Sequence, residues 1–244
     1  MKADLNVIEQ HDIQDEGHLS LDEWNDYTIE DFKNMGPKDL FRFCKANKEF
    51  GEPGIAYDEL RALWEAFEAC GNGPMTILET GQCFGTTTRF FVVKTLQNGG
   101  EHFSCEIRIR DLFKEKMKAM NLWDKFTTIG NSQTCPWPED KGIGFLFIDS
   151  EHAMSNALGE YMRFRPYLHG EAIIGFHDTE CCYGVGEAIK TILKMDAMEK
   201  VSESVNAASA GVKFFRLTGR GVNEHKANMA AYRKDHVMDE GGAV

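Results

Sequence analysis

The sequence predicts a doubly wound α/β fold: a mostly parallel sheet with helices on both faces, preceded by a helical N-terminal cap. Three observations lead there. Short apolar runs alternate with amphipathic stretches of helical length through the middle of the chain. Glycines and threonines punctuate the joins. An acidic stretch with scattered aromatics precedes the alternation. Strands joined by helices of this length pair in parallel, cross over right-handedly and are covered on both sides.

Residues 1–54 are expected to form the cap or lid. They carry Asp12, Asp15, Glu16, Asp22, Glu23, Asp26, Glu30 and Asp31 against few bases. Trp24, Tyr27, Phe32, Phe41 and Phe43 suggest short helices packed on something else. "GEPG" at 51–54 marks a break. "AYDELRALWEAFEACGNG" then sets Leu60, Leu63, Trp64 and Phe67 on one helical face, with Gly71 and Gly73 as the stop. "MTILET" reads as a short buried strand, and "TTTRFFVVKTLQNGG" as a helix with a threonine cap and a glycine stop. "HFSCEI" is a second strand, "RDLFKEKMKAMNL" a helix, "FTTIG" a third strand and "GFLFIDS" a fourth, apolar enough for a sheet interior. "AMSNALGEYMRFRPYL" places Met154, Leu158, Tyr161 and Leu168 on one helical stripe. "EAIIGFHD" is a fifth strand, "GVGEAIKTILKM" a helix and "VKFFRL" a last strand. The main domain is expected to span 55–220, and 221–244 to be a polar tail.

A chain of 244 residues suffices for one large domain or a domain with an added cap. The formal net charge of −12 argues against a nucleic-acid partner, which needs a basic stripe. No apolar run approaches the roughly 18 residues of a membrane span, so no membrane partner is expected. "MKADLNVIEQHDIQDEG" is acidic and lacks an apolar core, unlike a secretory signal. Seven cysteines without framework spacing read as reduced thiols, which points to a cytoplasmic setting.

In such sheets ligands bind beyond the carboxyl ends of the strands. The first end reads Glu79-Thr80-Gly81-Gln82-Cys83-Phe84-Gly85. Its pattern is E-x-G-x-x-x-G, not the G-x-G-x-x-G of a dinucleotide loop. The acid suits a ligand with a cationic group, and a side chain at Gly81 is expected to enter that ligand's path. The alternative is a plain strand–helix turn. Glu106, at the second end, is placed to accept both hydroxyls of a ribose, the alternative being a surface glutamate; Asn131, at the third, can pair with an adenine edge, the alternative being a turn asparagine. Asp149 with His152, and His177 with Asp178, close the fourth and fifth ends. Two carboxylates on neighbouring strand ends can share Mg²⁺, Mn²⁺ or Ca²⁺. A histidine beside them can take a proton from a hydroxyl. His177 could instead hold a loop through a backbone bond. "HDTECC" could be a soft-metal cluster using Cys181 and Cys182, though adjacent cysteines rarely both reach one ion.

Together the five ends resemble the class I S-adenosylmethionine-dependent methyltransferases, over about Ile55 to Leu217. "FIDSEH" followed by a helix and "HGEAIIGFHDT" is similar to the small-molecule O-methyltransferase group, which includes metal-dependent macrolide-sugar enzymes and relatives of cephalosporin-modifying enzymes. The resemblance implies a seven-stranded Rossmann-like sheet and S-adenosyl-L-methionine as cofactor. Glu79 and Gly81 would cradle its amino-acid part, with Thr86 and Thr87 beside it, and Thr80 and Gly85 would also belong to the cofactor site. Glu106 would bind ribose, Asn131 and Ser132 would lie by adenine, and Asp149 would border the cofactor. Asp149 and Asp178 would hold Mg²⁺ or Mn²⁺, with His177 where the family has an acid. His152 would be the general base, with His177 its rival. The acceptor would be a small-molecule hydroxyl, and a homo-oligomer is compatible with this reading. Family loops often carry a glycine pair before the fifth strand, where this chain has His169-Gly170-Glu171. Two other classes compete. A nicotinamide oxidoreductase is opposed by the glycine spacing; a non-catalytic cofactor-binding module is opposed by the retention of Asp149, His152 and Asp178.

Overall fold

The structure, a computed structural model, describes residues 20–50, 54–71, 73–206 and 209–218. The acidic residues expected in the cap before 20 and the polar tail expected at 221–244 lie outside the described residues. Among the described residues seven strands form one sheet: β1 (Met75–Thr80), β2 (Gly100–Cys105), β3 (Thr127–Thr128), β4 (Ile143–Ile148), β5 (Leu168–His177), β6 (Met198–Ser204) and β7 (Val212–Leu217). Their order is β3-β2-β1-β4-β5-β7-β6. The first five are parallel, and β7 runs antiparallel to both its neighbours. The order reverses between β1 and β4, which opens a crevice above their carboxyl ends.

The helices are α1 (Ile29–Lys33), α2 (Pro37–Lys45), α3 (Tyr57–Ala69), α4 (Thr86–Asn98), α5 (Asp111–Ala119), α6 (Met154–Phe164) and α7 (Tyr183–Met195). Alternation along the strands divides the core in two. Ile77, Phe145, Phe147, Ile173 and Phe214 pack with α2–α5. Leu78, Leu146, Ile148, Ile174 and Phe176 pack with α6 and α7. Residues 20–50 share the first of these cores, where Leu21, Trp24, Phe32, Phe41 and Phe43 are buried with Phe90 and Phe91 of α4. Arg89 is fully buried there, donating to the Cys44 carbonyl at 2.5 Å and to Asn47 Oδ1 at 2.7 Å. Among the described residues no helix is long and apolar enough to cross a membrane.

Three local expectations are corrected. First, α4 is capped by Gly85 at φ +73°, not by a threonine. Any β-carbon there would lie 2.0 Å from Phe113 Cε2, so the turn needs glycine for both its backbone and its space. Second, α6 stops at Phe164, a 3-10 turn over Arg165–Tyr167 contains Pro166, and Leu168 opens β5. Its buried face is Ala157, Glu160, Tyr161 and Phe164, while Met154 is exposed. Third, the strand absent from the sequence reading is β6. It is a sheet edge whose hidden side chains are polar: the Ser202 hydroxyl donates to the Ala62 carbonyl at 2.7 Å and the Ser204 hydroxyl to Asp58 Oδ2 at 2.5 Å. Both partners sit on α3, so the strand docks without the apolar alternation that would reveal it.

Candidate functional site

The strand ends surround a cavity of about 380 Å³, a size ordinary for small-molecule and cofactor sites. Gly81 enters it after β1, Cys105 at the end of β2 and Glu106 after it, Gly130 to Gln133 after β3, and Asp149 to Glu151 after β4; Glu160 of α6 also faces it. Among the described residues lining it there is no lysine or arginine, whereas Glu106, Asp149, Glu151 and Glu160 are all present. This wall favours a cationic ligand and disfavours two phosphates. Gly130, at φ +81°, has open space where a β-carbon would stand.

Of the residues expected around a cofactor, Gly81, Glu106, Asn131, Ser132 and Asp149 reach this cavity. Glu79, Thr80, Gly85, Thr86 and Thr87 do not line it. Glu79 is fully buried and turned into the core, accepting from the hydroxyls of Thr87 and, at 2.7 Å, Thr88, with His102 Nε2 3.3 Å away. Thr80 donates to Glu160 Oε2 at 2.8 Å. Thr86 accepts from Asn47 at 3.2 Å, and Gly85 rests against Phe113. These groups shape the loop from behind. Gly81 also acts differently from expectation: at φ +83°, a β-carbon would sit 2.1 Å from the Asp149 carbonyl oxygen, striking β4's end before any ligand.

Glu106 ties the loop ends together. Its Oε2 accepts the backbone N–H of Gln82 at 3.0 Å and of Cys83 at 3.2 Å, and its Oε1 that of Arg108 at 2.9 Å. Asn131 Oδ1 accepts the Gln133 N–H at 2.8 Å. Glu160, absent from the sequence reading, is buried beneath the cavity and accepts hydroxyls from three loops: Thr80, Ser132 and, at 2.6 Å, Ser150. Burial raises its carboxyl, and these bonds oppose the rise. Its one sequence signal is an acid among the apolar positions of a helical stripe.

Beside the cavity, Asp149, His177, Asp178 and His152 converge. His177 Nδ1 lies 3.1 Å from Asp149 Oδ1 and 3.3 Å from Asp178 Oδ2. His152 Nε2 lies 2.6 Å from Asp178 Oδ2. Asp178 adopts φ +58°, a left-handed backbone that an aspartate tolerates at some cost and that recurs at functional sites. A fifth member comes from α3, outside the expected motifs. Glu59 is buried, accepts the N–H of Ala56 at 2.7 Å and of Gly211 at 2.6 Å, and places Oε2 3.5 Å from His177 Nε2. Its only sequence signal is an acid on the buried face of a helix.

Three carboxylates thus surround the His177 ring, and among the described residues no backbone group bonds to it. Burial works against its charge, but Asp149 and then Asp178 and Glu59 outweigh that and hold its pKa well above the ordinary value. Burial raises the Asp149 carboxyl, with His177 opposing. At Asp178 and Glu59 burial is outweighed by His177, and both carboxyls are held low. An Nδ1 lone pair facing two carboxylates would be repelled, so a positive charge belongs there: a proton, or a metal ion. Asp149, His177 and Asp178 fit a divalent ion. Their ligand atoms lie within 4.8 Å of one another, and the 3.1 and 3.3 Å separations match the edges of about 3 Å set by octahedral bonds of about 2.1 Å. Glu59 would fix the ring by taking the Nε2–H.

No sequence-family model matches the chain, and no curated protein sequence matches it. Solved structures do match. The O-methyltransferase from Bacillus cereus in complex with SAH aligns at TM-score 0.56 and 13% identity, covering 81% of this chain and 99% of that one. The O-methyltransferase TomG from Streptomyces achromogenes, involved in tomaymycin synthesis and bound to SAM, gives 0.54 and 14%, covering 82% and 100%. Cofactor-bound Rv0187 from MTB gives 0.57 and 12%, covering 79% and 95%. The strand order, the crevice at its reversal and these alignments agree, and the chain has the fold of the class I S-adenosylmethionine-dependent O-methyltransferases.

Proposed function

We propose that the protein is an S-adenosylmethionine-dependent O-methyltransferase acting on a hydroxyl of a small molecule, with a divalent cation assisting. The observation that carries this reading is Asp149. It lines the acidic cavity and, on its other side, touches His177 in the cluster. A ligand with ammonium and sulfonium charges suits the cavity, and a proton-accepting group stands next to it. S-adenosylmethionine supplies the electrophilic methyl group. Asp149, His177 and Asp178 would hold Mg²⁺ or Mn²⁺, whose charge lowers the pKa of a bound hydroxyl.

The chain's own residues do the rest. Glu106 offers its carboxylate to the ribose hydroxyls and keeps the loop closed through Gln82 and Cys83. Asn131 and Ser132 border the adenine side. His152, half exposed and oriented by Asp178, to which it donates its Nε2–H, accepts the acceptor's proton at Nδ1. Holding methyl and oxygen in line supplies the effective molarity of an SN2 step. The acceptor is a small molecule, not nucleic acid or membrane, in keeping with the net charge of −12, and the protein is cytoplasmic.

Calorimetric titration with S-adenosylhomocysteine tests the cofactor, and release of S-adenosylhomocysteine in the presence of hydroxylated acceptors tests the reaction. Saturable binding is expected. A folded protein that binds no S-adenosylhomocysteine refutes the reading, and a melting-temperature rise with NAD instead would assign the cavity to a nicotinamide enzyme.

A further inference from the structure

The turn between β5 and α7 gathers a second donor set. His152 Nε2 lies 2.6 Å from Asp178 Oδ2. Cys181 Sγ lies 3.2 Å from Asp178 Oδ1 and 3.3 Å from Cys182 Sγ. One ligand atom each from His152, Asp178 and Cys182 falls within 4.8 Å of the other two. Both thiols are free. His152 and Asp178 have work in the proposed reaction; the thiols have none.

We propose that His152 Nε2, an Asp178 carboxylate oxygen and Cys182 Sγ form a binding site for a thiophilic divalent cation, Zn²⁺ foremost, with the fourth position open to water. One sulfur, one imidazole nitrogen and one carboxylate oxygen are ligands that zinc accepts, at about 2.3 Å for sulfur and 2.0–2.2 Å for nitrogen and oxygen. Tetrahedral bonds of those lengths set ligand atoms about 3.4–3.8 Å apart. The 2.6 Å His152–Asp178 pair must therefore open by less than about 1 Å. His152 has room to do so, since its side chain is half exposed. The thiolate sets this site apart from the Asp149, His177 and Asp178 group, whose oxygen-rich donors suit harder ions. Cys181 stays outside the ligand set: its neighbour in sequence already faces the ion, and its own contact is to the other oxygen of Asp178.

The site does not depend on methyl transfer. If the protein does transfer methyl groups, zinc on Nε2 turns the imidazole that takes the proton into a cationic metal ligand of low basicity and draws it off Asp178, so Zn²⁺ inhibits where Mg²⁺ does not. The test uses the full chain, reduced with a phosphine and freed of metal, titrated with Cd²⁺ while ultraviolet thiolate-to-metal absorption is followed, and then with Zn²⁺ as competitor. Absorption saturating at about one equivalent and displaced by Zn²⁺ is expected. Cys182→Ser and His152→Ala should each weaken Cd²⁺ binding about tenfold or more, and Cys181→Ser by no more than about threefold. Metal-free melting temperatures confirm that the variants are folded. Absence of thiolate absorption in the wild type overturns the proposal. So does absorption unchanged in Cys182→Ser, which would place the ion on another cysteine. Binding that needs both thiols and is indifferent to His152→Ala would be a bare dithiol chelate, and overturns it as well.

Discussion

Glu59→Ala probes how α3 supports the cluster. The carboxylate is buried and serves three groups: the N–H of Gly211 at 2.6 Å, the N–H of Ala56 at 2.7 Å and His177 Nε2 at 3.5 Å. Gly211 is buried, so its N–H would be left without a partner, at about 1–3 kcal/mol. Ala56 is half-buried and recovers water. His177 keeps Asp149 and Asp178 but loses its third anion. The total is about 3 kcal/mol, the lower end for breaking a buried charged pair. For a chain of this size that lowers the melting temperature by about 6–12 °C. Glu59→Gln keeps the volume and one oxygen for Gly211 and should lose less.

The charge component also sets a pH dependence, best measured by calorimetry in EDTA. Burial raises the Glu59 carboxyl, but His177 brings it below its ordinary 4.5. Its contribution is therefore present above about 4.5 and lost as pH falls through the lower folded value. His177 is held well above 6.5 by Asp149 and its fellow carboxylates. Its contribution is complete below about 6.5 and lost as pH rises through the folded value. The gap between wild type and Glu59→Ala should be widest between about pH 4.5 and 6.5 and narrow on both sides. A shift under about 2 °C, or a gap constant from about pH 5 to pH 10, would refute the reasoning.

Glu106→Ala should weaken S-adenosylhomocysteine binding about tenfold to hundredfold by calorimetry, through lost charge-assisted bonds; a change within about twofold gives the ribose to another residue. EDTA should suppress methyl transfer and Mg²⁺ or Mn²⁺ restore it, whereas full activity in chelator would leave a proton, not a metal, between Asp149 and His177. His152→Ala should cut turnover about a hundredfold or more while S-adenosylhomocysteine affinity holds; if only His177→Ala gives that signature, the two histidines exchange roles. Gly85→Ala, which puts a β-carbon 2.0 Å from Phe113 Cε2 at φ +73°, should cost roughly 2–3 kcal/mol by urea denaturation, and a neutral result would mean that the Phe113 ring yields.

Much of the fold was legible in the chain because it rests on local pattern. Apolar runs such as "GFLFID" and glycine-marked joins place strands and their ends without knowledge of partners. Those ends locate Asp149, His152, His177 and Asp178, and the parallel sheet brings them together whatever the rest does. The edge strand β6 was not legible, because its hidden positions are serines whose bonding partners lie on α3. Tertiary structure alone decided which way each strand-end side chain faces. Glu79 and Thr80 are neighbours, yet one turns to Thr87 and Thr88 and the other to Glu160, because successive side chains leave opposite faces of a strand. It also decided that Glu59, on a helix before the first strand, stands against His177 at the end of the fifth. Burial of a carboxylate is tolerated only where donors and a counter-charge meet it, and those partners come from parts of the chain that only folding brings together.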